Sequence, residues 1–273
     1  MITGRILGNT YVRNGKLAEV SGFVPDMSAD IYYEVIRLID GKVLFLPDHL
    51  ERLQHSLSGS GIAYPGKPRM IENLALLVHN NPFKEGNIRI CMQRSYVGKT
   101  DLLCYFIPYI YPDSSMYENG VKLLIYPHVR PNPGVKKWDD SFRNAVSEFI
   151  LENQVYEVAL KNRQNQITEG SRSNIFFIDR AGRLITPPAR DILKGITRQY
   201  VLNIALNEGI QIREQTVTTK ILPDLASSFI SGTSPKVLPV KQIDDHGFDV
   251  KHPVLRNLIR GFNALVEENL SRL

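Results

Sequence analysis

The stretch Ile167-Thr168-Glu169-Gly170-Ser171-Arg172-Ser173-Asn174-Ile175-Phe176-Phe177 carries the reading of the whole chain. Apolar strand residues flank a small polar turn, and Glu169 stands where the first strand breaks at Gly170. A carboxylate in that position is costly to desolvate unless something protonated or positively charged meets it. The plainer alternative is an exposed turn that Glu169 merely opens. Other segments separate the two.

Upstream lies Pro133-Gly134-Val135-Lys136-Lys137-Trp138-Asp139-Asp140-Ser141, a polar loop feeding into a helix. Phe142, Ala145, Val146, Phe149 and Ile150 recur at helical spacing, which predicts one buried stripe, with Ser141 placed to cap the N-terminus. Val155 to Leu160 reads as a strand, Asn162 to Gln166 as a polar turn, and a second strand then enters Glu169. This order carries Lys136 back toward the carboxylate, so that an amine and an acid share one site. A pyridinium nitrogen would be a fitting partner for the acid.

Four more segments complete a pattern. They are Tyr33-Glu34-Val35-Ile36-Arg37, Asp48-His49-Leu50-Glu51-Arg52-Leu53, Lys194-Gly195-Ile196-Thr197-Arg198, and Phe229-Ile230-Ser231-Gly232-Thr233-Ser234 through Pro239-Val240. Together with Ile167 to Ile175 the chain resembles the fold-type IV, or class IV, pyridoxal-phosphate aminotransferases. That family takes in branched-chain and D-amino-acid aminotransferases and aminodeoxychorismate lyase. The five motifs stand in family order over nearly the whole length.

The resemblance implies an α/β (α+β) fold of two domains, with pyridoxal 5'-phosphate in the cleft between them and a neighbouring subunit completing the site of a homodimer. Lys136 is the expected Schiff-base lysine, because the family lysine follows an aliphatic or small residue, as Lys136 follows Val135; Lys137 follows another lysine. Two solvated loop lysines are the alternative. Glu169 is expected at the pyridine nitrogen, keeping it protonated so that the ring can accept electrons, with Asn174 in support.

Arg52 offers a guanidinium fork to a phosphate dianion. A surface arginine paired to Glu51 or Asp48, which are spaced as a capping pair, is its alternative. Gly195, Ile196 and Thr197 open a helix whose amides and dipole suit phosphate, and a simple capped turn would look the same. Gly232 and Thr233 are implied on the phosphate side. Thr233 and Ser234 are expected at the substrate carboxylate, and Tyr33 and Arg94 on the substrate side.

Two departures from the family pattern matter. The family's usual Asn or Tyr shortly after the lysine is replaced by Asp139 and Ser141, so no group is assigned to the cofactor's phenolic oxygen. The family's Gly-Asp-Gly turn is replaced by Ala29-Asp30-Ile31-Tyr32, in the region that shapes the substrate pocket.

Composition fits without specifying. The 273 residues suffice for two domains, and 43% apolar content allows a sizeable core. A net charge of +5 without Lys/Arg-rich runs argues against a nucleic-acid groove. Cys91 and Cys104 form no Cys-x-x-Cys pair, and the six histidines lack metal-ligand spacing. Met1 to Leu17 has no apolar signal core and no apolar run is long enough to span a membrane, so a cytoplasmic protein is expected.

Along the chain, residues 1–112 read as an N-terminal α/β domain with helices over Asp48 to Ser58 and Arg69 to His79 and a hairpin of Asn87 to Gln93 with Asp101 to Ile107. Residues 113–119 are the expected linker, inside the turn-rich stretch Ile110 to Gly120. Residues 120–273 form the second α/β domain, expected to carry the lysine. Its later elements are a helix after Gly195 with Ile196, Tyr200, Leu202 and Ala205 inward, a strand near Ile210 to Arg213, and a closing helix from Pro253 with Val254, Leu258, Phe262 and Leu265 inward. Glu34 and Arg37 sit at odd strand spacing and point to opposite faces, one of them internal and paired.

The activity this implies is transamination between an α-amino acid and an α-keto acid. The donor is expected to be an L-amino acid with an apolar side chain. D-specific members of the family carry an Arg-x-His clamp, and Arg94 to Asp101 holds no histidine. Tyr32, Tyr33, Tyr96 and Tyr105 would supply a mostly apolar pocket. The alternatives are β-elimination releasing pyruvate, D-amino-acid transamination, and a non-catalytic phosphate-ligand-binding protein that keeps the fold.

Overall fold

The computed structural model describes residues 6–24 and 30–273. The readings that rest on residues 1–5 and on Ala29 lie outside them. In chain order the elements are β1 (Leu7–Arg13), β2 (Lys16–Glu19), β3 (Asp30–Ile39), β4 (Lys42–Leu44), α1 (Leu46–Leu57), α2 (Lys67–His79), β5 (Gly86–Arg94), β6 (Thr100–Ile107) and α3 (Ser114–Asn119). There follow β7 (Val121–Pro127), α4 (Asp140–Asn153), β8 (Glu157–Lys161), β9 (Gln166–Gly170), β10 (Asn174–Asp179), β11 (Leu184–Thr186) and α5 (Ile196–Asn207). The chain closes with β12 (Ile212–Glu214), β13 (Val217–Thr218), β14 (Leu225–Gly232), β15 (Lys236–Ile243), β16 (His246–Gly247), α6 (Pro253–Glu268) and β17 (Leu270–Ser271).

These elements form two compact units. One is Met1–Ile110 with Val135–Arg143 and Glu268–Leu273; the other is Tyr111–Gly134 with Asn144–Glu267. The lysine expected in the C-terminal domain therefore belongs with the first unit. The reason is backbone pairing: Tyr33 N donates to Lys136 O and Trp138 N donates to Ile31 O, so residues 136–138 run beside β3. The expected linker holds a helix, α3, because Asp113 caps it by accepting from Met116 N.

The first unit is built on a seven-stranded sheet in the order β17-β4-β3-β5-β6-β1-β2. β3 and β5 pair from Asp30↔Arg94 to Leu38↔Gly86, and β5 with β6 makes the expected hairpin. Alternation along β3 sorts its side chains. Ile36 and Leu38 join α1 and α2 in the main core, through Leu50, Leu53 and Leu74 among others, whereas Ile31 and Tyr33 join Cys91, Leu103 and Tyr105 in a smaller aromatic cluster. Asp48 does not cap α1. Phe45 in a left-handed conformation precedes it and Pro47 opens it, leaving Asp48 an acid of the first turn.

The second unit carries a ten-stranded mixed sheet along β12-β11-β10-β14-β15-β7-β8-β9-β13, with β16 on β15. β7 runs parallel to both β8 and β15. Three helix readings need correction. Asp139, not Ser141, caps α4, through Phe142 N, and of the expected stripe only Val146 is buried while Ala145 is exposed. In α5, Val201 and Ile204 are buried where Tyr200 and Leu202 are only half-buried. In α6 the inner positions are Leu255, Leu258, Phe262 and Val266, because a helical stripe fixes periodicity better than rotation.

Candidate active site

In the first unit the site begins with the pleat of residues 136–138. Pairing with β3 in antiparallel register puts Lys136 and Trp138 on the face of Tyr33, and Lys137 on the face of Tyr32. The two lysines separate accordingly. Lys136 holds its amine 4.9 Å from the Tyr33 ring centroid. Lys137 stays half-exposed, 2.6 Å from Asp30, with Arg94 also on Asp30 at 3.8 Å. Burial pushes the Lys136 ammonium down from its ordinary value; Tyr33 opposes this, Arg52 adds to it, and Glu34 and Arg143 contribute with opposite signs.

Arg52 is paired to Glu34. Its Nε donates to Glu34 Oε1 at 2.7 Å and its Nη2 to Glu34 Oε2 at 2.5 Å, a bidentate pair around a carboxylate with no exposed surface. His49 Nδ1 lies 2.8 Å from the same Oε2. Glu34 is thus internal and paired. Burial alone would raise its proton affinity, but the Arg52 fork and His49 outweigh burial and hold it down to about 2.

Tyr33 is buried, and its hydroxyl accepts from Arg143 Nη2 at 3.2 Å. Shortly after the lysine, Asp139 is engaged at the α4 cap and Asp140 accepts from Trp138 Nε1. The four tyrosines do not share one face of the sheet. Tyr96 sits 84% exposed, and Tyr32 points to the opposite face from Tyr33.

In the second unit Glu169 is 3% exposed at the end of β9. Arg130 Nη1 donates to its Oε1 at 3.3 Å, and the Leu193 amide donates to its Oε2 at 3.1 Å. Asn174 supports this arrangement indirectly: its Nδ2 donates to Leu193 O at 2.8 Å, fixing the peptide that reaches Glu169. The following turn is clamped by Glu157, whose carboxylate accepts from Ser171 Oγ, Arg172 N and Ser173 Oγ.

Gly195 precedes α5 with no side-chain cap, and a Cβ there would run into Asn174 Oδ1, so the N-terminal amides stand against the Asn174 end of β10. Thr197 is buried in that first turn. Gly232, Thr233 and Ser234 form the β14–β15 turn, with Gly232 against Arg172 O. Ser231 is directly opposite Asn174 and therefore on its face; its buried Oγ has no hydrogen-bond partner among the described residues.

Sequence reading singled out Lys136, Arg52, Glu169, Asn174 and two small-residue turns; it did not anticipate Glu34 as a partner of Arg52, nor the neighbours His49, Arg130, Arg143 and Glu157. Only the odd spacing of Glu34 and Arg37 gave a local signal. The other partners are set by strand pairing between distant segments.

Known proteins can now be set beside this geometry. A putative branched-chain-amino-acid aminotransferase of Methanocaldococcus jannaschii is 31% identical over 233 residues, 79% of each chain. A D-alanine aminotransferase of Staphylococcus haemolyticus is 28% identical over 258 residues, 89% of this chain and 90% of that one. In fold, the chain matches the branched-chain amino acid aminotransferase of Escherichia coli at a TM-score of 0.82 and 21% identity, covering 95% of each chain. The family model of amino-transferase class IV matches residues 32–243, well over half of the sequence, and the chain belongs to that family.

Proposed function

We propose that the protein is a pyridoxal-phosphate transaminase using Lys136 as its reactive amine, Glu169 at the ring nitrogen, and Arg52 with the α5 N-terminus at the phosphate. The observation that carries this reading is the placement of Lys136 on the Tyr33 face of the pleat, its amine 4.9 Å from the ring centroid, with desolvation lowering its proton affinity. A neutral amine condenses with an aldehyde and can afterwards take and return a proton. The residues fit the cofactor: the buried Glu169 carboxylate suits a protonated ring nitrogen, the α5 amides have no side-chain cap, and the Ser231 hydroxyl is buried without a partner among the described residues.

Bound there, pyridoxal phosphate supplies an aldehyde and an electron-withdrawing ring, the chemistry that makes an α C–H bond acidic. The chain does the rest. Lys136 moves the proton at its Nζ, and Glu169 keeps a negative charge at the ring nitrogen, oriented by Arg130 and the Leu193 amide. Glu34 fixes the Arg52 fork. The turn at Gly232, Thr233 and Ser234 offers small residues and amides to the substrate carboxylate, with Tyr33 on the substrate side.

The donor in this reading is an L-amino acid with an apolar side chain. Arg94, engaged with Asp30, has no histidine near it in sequence with which to make a clamp. The D-alanine relatives give the D-amino-acid reading its weight. A homodimer in the cytoplasm completes the proposal, and the two buried free thiols fit a reducing compartment. Keto-acid formation from L-leucine, L-phenylalanine, D-alanine and aminodeoxychorismate tests the reading. Faster turnover of D-alanine, or pyruvate appearing only from aminodeoxychorismate, would overturn it.

A further inference from the structure

We infer that Ser56 is a positioning residue: its hydroxyl holds the Lys136 peptide on the same helix that carries Arg52, so that α1 sets the separation between the reactive amine and the guanidinium. This rests on the transaminase reading for the roles of Lys136 and Arg52, and every contact in it lies within the first unit.

Lys136 is held by its backbone on both sides. Its carbonyl accepts from Tyr33 N at 3.2 Å, and its amide donates to Ser56 Oγ at 3.2 Å, across 80 positions of the chain. The contact with β3 decides which way the lysine faces. The contact with Ser56 decides how far residue 136 stands from α1. Ser56 is 2% exposed, so its hydroxyl meets the Lys136 amide with little competition from water.

Arg52 and Ser56 are one helical turn apart on α1, so they lie one above the other on one face, about 6 Å along the axis. Leu50, Leu53 and Leu57 of the same helix are packed into the main core, which fixes its rotation. Arg52 grips both carboxylate oxygens of Glu34, and Glu34 directly follows Tyr33 on β3. The contacts close into a ring: Arg52 to Glu34, one peptide along β3 to Tyr33, across to Lys136, and through Ser56 back to α1. Glu34 and Arg52 also act on the Lys136 ammonium with opposite signs, so the amine lies within electrostatic reach of both. Two groups that act on opposite ends of one rigid molecule must keep a matching separation, and a misplacement of about 1 Å can cost about 100-fold in rate.

The test compares Ser56→Ala and Ser56→Cys with wild type, each as the full chain freed of cofactor. One arm measures the rates at which Lys136 captures pyridoxal phosphate and pyridoxal, with borohydride trapping and peptide mass spectrometry to locate the adduct. The other measures hydrogen exchange at the Lys136 amide by NMR. Ser56→Ala should lower the ratio of the two capture rates by about 10-fold or more and speed exchange at Lys136 by about 10-fold. Exchange at Trp138, whose amide donates to Ile31 O, should stay as in wild type. Ser56→Cys fills the space but accepts weakly, so it should follow Ser56→Ala. A merely structural Ser56 would slow both aldehydes together, leave the ratio unmoved and speed exchange at Trp138 as well, which overturns the inference, as does a Ser56→Cys chain that keeps the wild-type ratio. A wild type that captures neither aldehyde at Lys136 removes the transaminase reading and this inference with it. A wild type that captures both, but prefers the phosphate-bearing aldehyde no more than a free amine does, removes this inference alone.

Discussion

Arg130 Nη1 lies 3.3 Å from Glu169 Oε1, so the acid read from sequence as needing a cation already has one within its own unit. Only six positions separate Arg130 from Lys136 in the chain. In the proposed role, the guanidinium and the ring nitrogen would flank the same carboxylate, one on each side of its negative charge. Arg130→Met should therefore bind cofactor nearly as wild type does yet abstract the α-proton more slowly, and Arg130→Lys should restore part of the rate. Nitrogen-15 NMR of labelled cofactor gives a second reading, and a fully protonated ring nitrogen in Arg130→Met contradicts the role.

Lys136→Ala should abolish attachment of pyridoxal phosphate that borohydride can fix, and Lys137→Ala should spare it. Peptide mass spectrometry of the reduced wild type locates the adduct directly. Attachment at Lys137 would refute the pleat argument.

The pH dependence of cofactor capture follows from burial. Because burial, more than any neighbour, depresses the Lys136 ammonium below the ordinary 10.5, the amine is neutral at lower pH than a solvated lysine. The capture rate should rise with pH to a midpoint below 10.5. Arg143→Gln removes a positive neighbour and should move that midpoint upward; a midpoint that stays or falls contradicts the electrostatic account.

Glu169→Gln and Arg52→Ala should fail in opposite ways. The first should keep cofactor affinity and slow proton removal by about 100-fold or more, since it removes a charge aimed at the developing transition state. The second should weaken cofactor affinity first, by roughly 30- to 150-fold for a lost contact of about 2–3 kcal/mol. Titration of each apo variant and timing of a single half-reaction separate them.

Glu34 ties stability to pH. Its folded value, about 2, lies below the ordinary 4.5, so its contribution is full above about pH 4.5 and is lost as pH falls toward 2. Glu34→Gln should flatten the denaturation midpoint across that window and cost about 3–5 kcal/mol at neutral pH by leaving Arg52 without its partner. An unchanged acid profile would show that the pair contributes little.

Local sequence determined much of this protein. Alternation and turn chemistry gave the β5–β6 hairpin and the break at Glu169-Gly170, helical periodicity gave α1 and α2, and the five ordered motifs gave the family. These signals are short-range, because strand pleat, turn preference and helical repeat are properties of neighbouring residues. The cap of α4 was legible only to within two residues, since Asp139, Asp140 and Ser141 all have capping side chains and the choice depends on where the incoming backbone leaves β3.

Tertiary structure alone decided the partners. Nothing near Arg52 in sequence names Glu34, nothing near Glu169 names Arg130, and adjacent Lys136 and Lys137 differ only because residues 136–138 pair with β3 and turn one lysine inward and the other toward Asp30. Such pairings join segments far apart in the chain, and they are fixed by strand register and burial, which a single sequence does not spell out.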